Sequence, residues 1–189
     1  MTSPEQLTLQ LRVELEDVKP KVWRRILVPT SVRLSRLHDT LQVVMGWSNS
    51  HMHAFKVGDL SYGMCFDDYP EEEIDERTVT IRHALRGVDR FLYEYDFGDG
   101  WNHLIEVERE IPCNQGLKFA VCLAGENACP PEDCGGPGGY ERLLQALSDP
   151  GDDEHDDFVR WIGGDRFDRT AFELAEVNAA LQRMRQGGS

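Results

Sequence analysis

The sequence has no apolar run near the roughly 20 residues that a membrane-spanning helix needs. Its first residues, MTSPEQ, carry neither the basic nor the apolar region of a signal peptide. These absences predict a cytoplasmic protein with no membrane partner. Basic residues are scarce as well: 20 Lys and Arg stand against 34 Asp and Glu, a formal net charge of −14. Such a field repels phosphate backbones, so direct nucleic-acid binding would need a local basic patch. The best patch is Lys19, Lys21, Arg24, Arg25, Arg33 and Arg36. The favoured reading of these residues is a solvated hairpin followed by a basic helix start.

Several reactive signatures are missing. There is no GxSxG, no HExxH, and no HxE paired with PCxxC. The usual serine-hydrolase, zincin and deaminase readings therefore lack support. No GK[ST] follows a Gly-rich turn, which discounts a phosphate loop. A DFG tripeptide occurs at Asp96, but without a Gly-rich nucleotide loop or an HRD segment it is no kinase signature. Five cysteines, with no C-x-x-C among them, fit reduced thiols or metal ligands better than a disulfide framework.

What is present suits one domain over residues 1–189: 40% of the residues are hydrophobic, enough for a real core. Leu7, Leu9, Leu11, Val13 and Leu15 alternate with polar residues, the period of a half-buried strand, and KVWRRILVP reads as its returning partner. Leu34, Leu37, Leu41, Val44 and Met45 follow helical spacing, with Ser35 as N-cap and Gly46 as stop. In HMHAFKVGD, His51, His53, Phe55 and Val57 alternate onto one strand face. FDDYPEEEIDE, from Phe66 to Glu76, reads as a solvated acidic excursion, and residues 112–139 as one long Gly, Pro and Cys-rich loop. Three helices follow, with stripes at Tyr140, Leu143 and Leu147, at Phe158, Trp161 and Ile162, and at Leu174, Val177, Leu181 and Met184. The expected class is α+β: an antiparallel sheet built from hairpins with helices packed against it, and a mostly helical C-terminal part.

YEYDFGDGWNH, from Tyr93 to His103, has the glycines of a tight turn. A three-residue loop of Gly98, Asp99 and Gly100 would oppose Phe97 to Trp101 and Tyr95 to His103 and keep one face apolar. His103 then lies on the core face, where a hydrogen-bonded core histidine is the plain alternative to a catalyst.

CLAGENACPPEDCGG sets Cys122, Cys129 and Cys134 beside Glu132 and Asp133. With His103 as fourth ligand these thiols make a candidate zinc set, against the alternative of buried thiols packing a rigid loop. The loop has few large apolar side chains. It must be fixed by thiols, by backbone hydrogen bonds to Glu132 or Asp133, or by metal, and the irregular cysteine spacing favours the carboxylates.

VWRRILVP, VMGW followed by HMHAF, YEYDFGDGWNH, CPPEDCGGPGGY and EVNAAL occur in that order over nearly the whole chain. Together they resemble the plasmid pRiA4b ORF-3-like family. The resemblance implies a single α+β domain and supplies no activity. Residue by residue it points to His53, Asp96, Asp99, Trp101, His103, Glu132, Asp133, Gly135 and Gly136. Some relatives carry a transposon-resolvase label, hence a link to mobile elements, but no nucleophilic serine set among arginines is visible here.

Two functional readings result. One is a binding or interaction domain whose cleft lies between the DFGDGW hairpin and the PPEDCGG loop, taking a protein or small-molecule ligand. The other is a metal-dependent hydrolase, with zinc or another divalent ion activating water and Asp96 or Glu132 as base.

Overall fold

The computed structural model describes residues 7–65, 73–112, 117–164 and 167–187. Its strands are β1 (Leu7–Leu15), β2 (Trp23–Pro29), β3 (His53–Val57), β4 (Leu60–Gly63), β5 (Ile74–Asp75), β6 (Arg90–Tyr95), β7 (Trp101–Pro112) and β8 (Val121–Glu126). The helices are α1 (Leu34–Met45), α2 (Ile81–Leu85), α3 (Gly136–Ser148), α4 (His155–Trp161) and α5 (Leu174–Gly187). The strands form one sheet in the order β5-β4-β3-β6-β7-β1-β2-β8.

The class is α+β as expected, with two corrections. The sheet is mixed rather than purely antiparallel, because β5 pairs with β4 in parallel. The C-terminal part is not mostly helical: β8 forms inside the stretch expected to be loop, and irregular segments separate α3, α4 and α5. Val121 and Cys122 add to the free edge of β2, where Cys122 opposes Ile26, and this tertiary pairing outweighs the loop-like composition around it. Residues 66–72 of the acidic stretch lie outside the described residues. Its end is not a solvated excursion, since Ile74–Asp75 is β5 and Glu76 is buried.

One sheet face carries the core. Leu11, Val13, Ile26, Phe55, Tyr93 and Ile105 are fully covered there, with α1 contributing Leu34, Leu37 and Leu41. The other face is polar and laced with ion pairs such as Arg25 with Glu108 and Arg90 with Glu106, as suits a sheet wetted on one side. Gly46 ends α1 in the left-handed region at φ 85°, as its position predicts. The start differs: Arg33, not Ser35, is the N-cap and offers no side-chain hydrogen bond. Instead the Leu34 amide donates to the Val79 carbonyl, so a neighbouring chain segment does the work of a cap.

The β6–β7 hairpin keeps the expected face but not the register. Tyr95 opposes Trp101 and Tyr93 opposes His103, so the connection is five residues, 96–100. Asp96 causes the difference. It adopts φ 56°, its carbonyl accepts from the Gly100 amide at 2.6 Å, and its Oδ1 accepts from the Gly98 and Asp99 amides at 3.0 and 3.3 Å. An aspartate that serves as its own turn template closes the loop two residues earlier than glycine counting suggests. Phe97 is left 51% exposed rather than packed on Trp101.

Four of the six cations of the basic patch are engaged within the protein. Arg24 is buried and donates to the carbonyls of Trp23, Val44, Glu126 and Asn127. Arg25 pairs with Glu108, Lys21 with Glu14, and Arg36 with Asp39.

Candidate functional site

Because Gly46 turns the chain sharply, Trp47 leaves α1 and lies over the end of the β6–β7 hairpin. Its ring stacks on Tyr95 with centroids 5.1 Å apart, and its Nε1–H donates to the Pro130 carbonyl at 2.9 Å. Two residues on, Glu132 accepts from the Ser48 amide at 2.9 Å, from the Ser48 hydroxyl, and from the Tyr95 hydroxyl at 2.6 Å. Burial would raise the Glu132 carboxyl, but the hydrogen bonds from Ser48 and Tyr95 prevail and hold it below its ordinary value. Burial and the Glu132 charge push the Tyr95 hydroxyl well up, so it stays a donor.

The two family blocks meet directly. The Gly135 amide donates to Asp99 Oδ2 at 3.2 Å. Gly136, at φ 68°, sits so close that a Cβ there would lie 2.3 Å from the Asp99 carbonyl oxygen. Only glycine allows that approach.

Beside this junction His51 stands between two aspartates. Its Nδ1 is 3.6 Å from Asp96 Oδ2, and its Nε2 is 3.1 Å from Asp133 Oδ1. Asp96 is anchored through its other oxygen, whereas the Asp133 side chain is 69% exposed. His51 and Asp96 open onto a cavity of about 530 Å³ that Asn49, Ser50, Met64 and Phe97 also line.

Of the residues singled out in the sequence, Asp96, Asp99, Glu132, Asp133, Gly135 and Gly136 come together here. His53, Trp101 and His103 lie beneath, in the core. His103 is fully enclosed. Its Nδ1–H donates to the Tyr93 and Trp101 carbonyls, both at 3.1 Å, and burial pushes the ring down to about 4, so it is neutral. His53 contacts buried Glu76 at 2.8 Å and stacks on His38 with ring centroids 3.5 Å apart. His38 in turn bonds the Tyr93 hydroxyl and Asn49 Oδ1.

The cysteines are dispersed. Cys122 Sγ donates to the Ala124 carbonyl, while Cys129 Sγ lies 3.5 Å from both Arg24 Nη2 and Met45 Sδ. Burial pushes the Cys129 thiol up to about 11 and, with Asp99 and Asp133 nearby, the Cys134 thiol up to about 12. His51, Asp96 and Asp133 are the group of possible ligands that does gather, among the described residues.

Sequence reasoning misses Trp47, Ser48, Tyr95 and His38 as builders of the site. The signal for Trp47 and Ser48 is the Gly46 helix stop, which throws the next residues out of α1. Alternation places His51 on a strand, but β3 begins at His53, and this frees His51 to face the loops.

A family model described as "Plasmid pRiA4b ORF-3-like protein" matches residues 7–176. The chain belongs to this family. An "Uncharacterized protein y4hQ" of Sinorhizobium fredii (strain NBRC 101917 / NGR234) is 40% identical over 175 residues, 92% of this chain and 90% of that protein. The fold is also that of a crystal structure of the protein of unknown function MM3350 from Methanosarcina mazei Go1. The two superpose with a TM-score of 0.82 at 31% identity, over 91% of this chain and 98% of that one. None of these descriptions names an activity.

Proposed function

We propose that this member of the family is a cytoplasmic binding domain, one unit over residues 1–189, that takes a small polar ligand where the hairpin loop meets the PPEDCGG loop. The observation that carries the reading is a division of labour among the carboxylates. Asp99 and Glu132 are taken up in joining the two loops, while Asp96 Oδ2 and Asp133 turn to His51 at the rim of an open cavity. A volume of about 530 Å³ lies in the usual range for small-molecule sites, roughly 300–1,000 Å³. Direct nucleic-acid binding is not favoured, because four of the six patch cations are already engaged by the protein's own carboxylates or carbonyls.

The metal-dependent hydrolase is the second reading, supported by the imidazole between two carboxylates. Glu132 fits the role of base poorly, since its oxygens already accept from Ser48 and Tyr95. Asp96 Oδ2 is the alternative base, provided that other residues hold the ion.

A thermal-shift screen against a metabolite library tests the first reading. At least one compound class should raise the wild-type Tm and lose that effect in His51→Ala. A library without such a hit, together with turnover of simple ester or phosphoester substrates, would favour the second.

A further inference from the structure

His51 Nε2 is shielded from solvent and has no hydrogen-bond partner among the described residues, although Asp133 Oδ1 lies only 3.1 Å away. At 3.1 Å the pair is close enough for a hydrogen bond but not aligned for one: Asp133 Oδ1 lies to the side of the direction in which Nε2 points, a spacing at which both atoms can face one ion. The second carboxylate stands nearer the other ring nitrogen, with Asp96 Oδ2 3.6 Å from Nδ1, yet one atom each from His51, Asp96 and Asp133 lies within 4.8 Å of the others.

We propose that His51, Asp96 and Asp133 bind one divalent first-row transition-metal ion. The inference rests on the binding-site reading above and names what that site holds. One imidazole nitrogen and two carboxylate oxygens suit manganese, iron, cobalt or zinc. They are too few oxygens for calcium, and no thiolate joins them. The support a ligand needs is already in place for Asp96, whose Oδ1 accepts from the Gly98 and Asp99 amides and leaves Oδ2 directed at His51. Three protein ligands leave positions open, and the cavity lined by Asn49, Ser50 and Phe97 adjoins them. In a chain of net charge −14, such an ion would supply the local positive charge by which a small carboxylate or phosphate ligand is held.

The test uses tag-free full chain, stripped with chelator and titrated calorimetrically with Mn²⁺ and Zn²⁺. One ion per chain is expected, and His51→Ala and Asp133→Asn should each weaken it by more than about tenfold. Asp133 is exposed, so Asp133→Asn keeps the test valid should His51→Ala fold poorly. Cobalt-loaded protein should lack sulfur-to-metal charge transfer in its visible spectrum. Absence of stoichiometric binding, binding unchanged in both variants, or a thiolate band would each overturn the site. The metabolite screen repeated on stripped protein separates the two ideas: a hit there without any metal binding sinks the ion and leaves the binding domain standing.

Discussion

The Tyr95 hydroxyl donates to Glu132 across 2.6 Å and accepts from the Ser50 amide at 2.9 Å, which ties the end of β6 to both segments that pass over it. Tyr95→Phe removes both bonds without changing the ring that stacks on Trp47. It should destabilise the protein by about 1–3 kcal/mol at pH 7 in urea denaturation, the usual cost of leaving such groups unpaired. The pH dependence has a definite sign. A carboxyl held below its unfolded value contributes stability that is present above that value, 4.5, and lost as pH falls through the lower folded value. The gap between wild type and variant should therefore shrink below about pH 4.5, and a constant gap would mean that Glu132 is not the partner that matters.

Two buried imidazoles act in the same direction at higher pH. Burial, with His53 as a further cause, pushes His38 down to about 4, and burial does the same to His103. Each is below the ordinary 6.5, so the unfolded chain binds more protons between those values and stability is lost as pH falls from 6.5 toward 4. On the order of 3 kcal/mol per residue is expected at the acid end. Urea midpoints from pH 7 to 4.5 should show the fall, and His103→Gln should flatten part of it.

Much of the fold was legible because periodicity reports which face is buried. Leu7 to Leu15 and Leu34 to Met45 form β1 and α1 at the expected positions, since their apolar spacing has one consistent solution. The hairpin face was legible for the same reason, but its register was not. Moving by two residues keeps every side chain on its side, so the pattern cannot distinguish the alternatives, and the backbone bonds to Asp96 decide. β8 was hidden because its pairing partner, β2, lies about 100 residues earlier in the chain. The site was half legible. The carboxylates and glycines stood out by type, whereas Trp47, Tyr95 and His38 look like ordinary core residues until their polar atoms are seen to have partners.

Glycine tests the junction of the loops. Gly136→Ala would place a methyl group 2.3 Å from the Asp99 carbonyl oxygen at a residue with φ 68°. The backbone there cannot yield like a flexible side chain, so a loss of about 1–3 kcal/mol is expected in thermal melts. A methyl group on Gly138, two residues further into α3, would meet nothing within 4 Å. Gly138→Ala should be neutral or stabilise by up to about 1 kcal/mol, as helix propensity dictates. Equal losses at both positions would show that α3, rather than the contact with Asp99, is what glycine serves.

The last prediction separates the two neighbouring acids of the PPEDCGG loop. Glu132 holds the loop: its removal in Glu132→Ala leaves the Ser48 amide and the Tyr95 hydroxyl without their acceptor, at about 1–3 kcal/mol for each donor that stays buried. Asp133 holds nothing by a hydrogen bond to backbone among the described residues, and its side chain is 69% exposed. Asp133→Ala should therefore stay within about 0.5 kcal/mol of wild type in metal-free protein, as surface substitutions do. Cys134→Ser should also cost less than Glu132→Ala, because among the described residues no hydrogen bond joins the Cys134 thiol to another residue. With Mn²⁺ or Zn²⁺ added the order changes in one respect only. An ion that binds the folded chain raises its Tm by mass action. Wild type, Cys134→Ser and Glu132→Ala should gain that increment and lose it to chelator, while Asp133→Ala should gain none. A chelator response that disappears in Cys134→Ser and persists in Asp133→Ala would place any ion on the thiols and reverse the assignment.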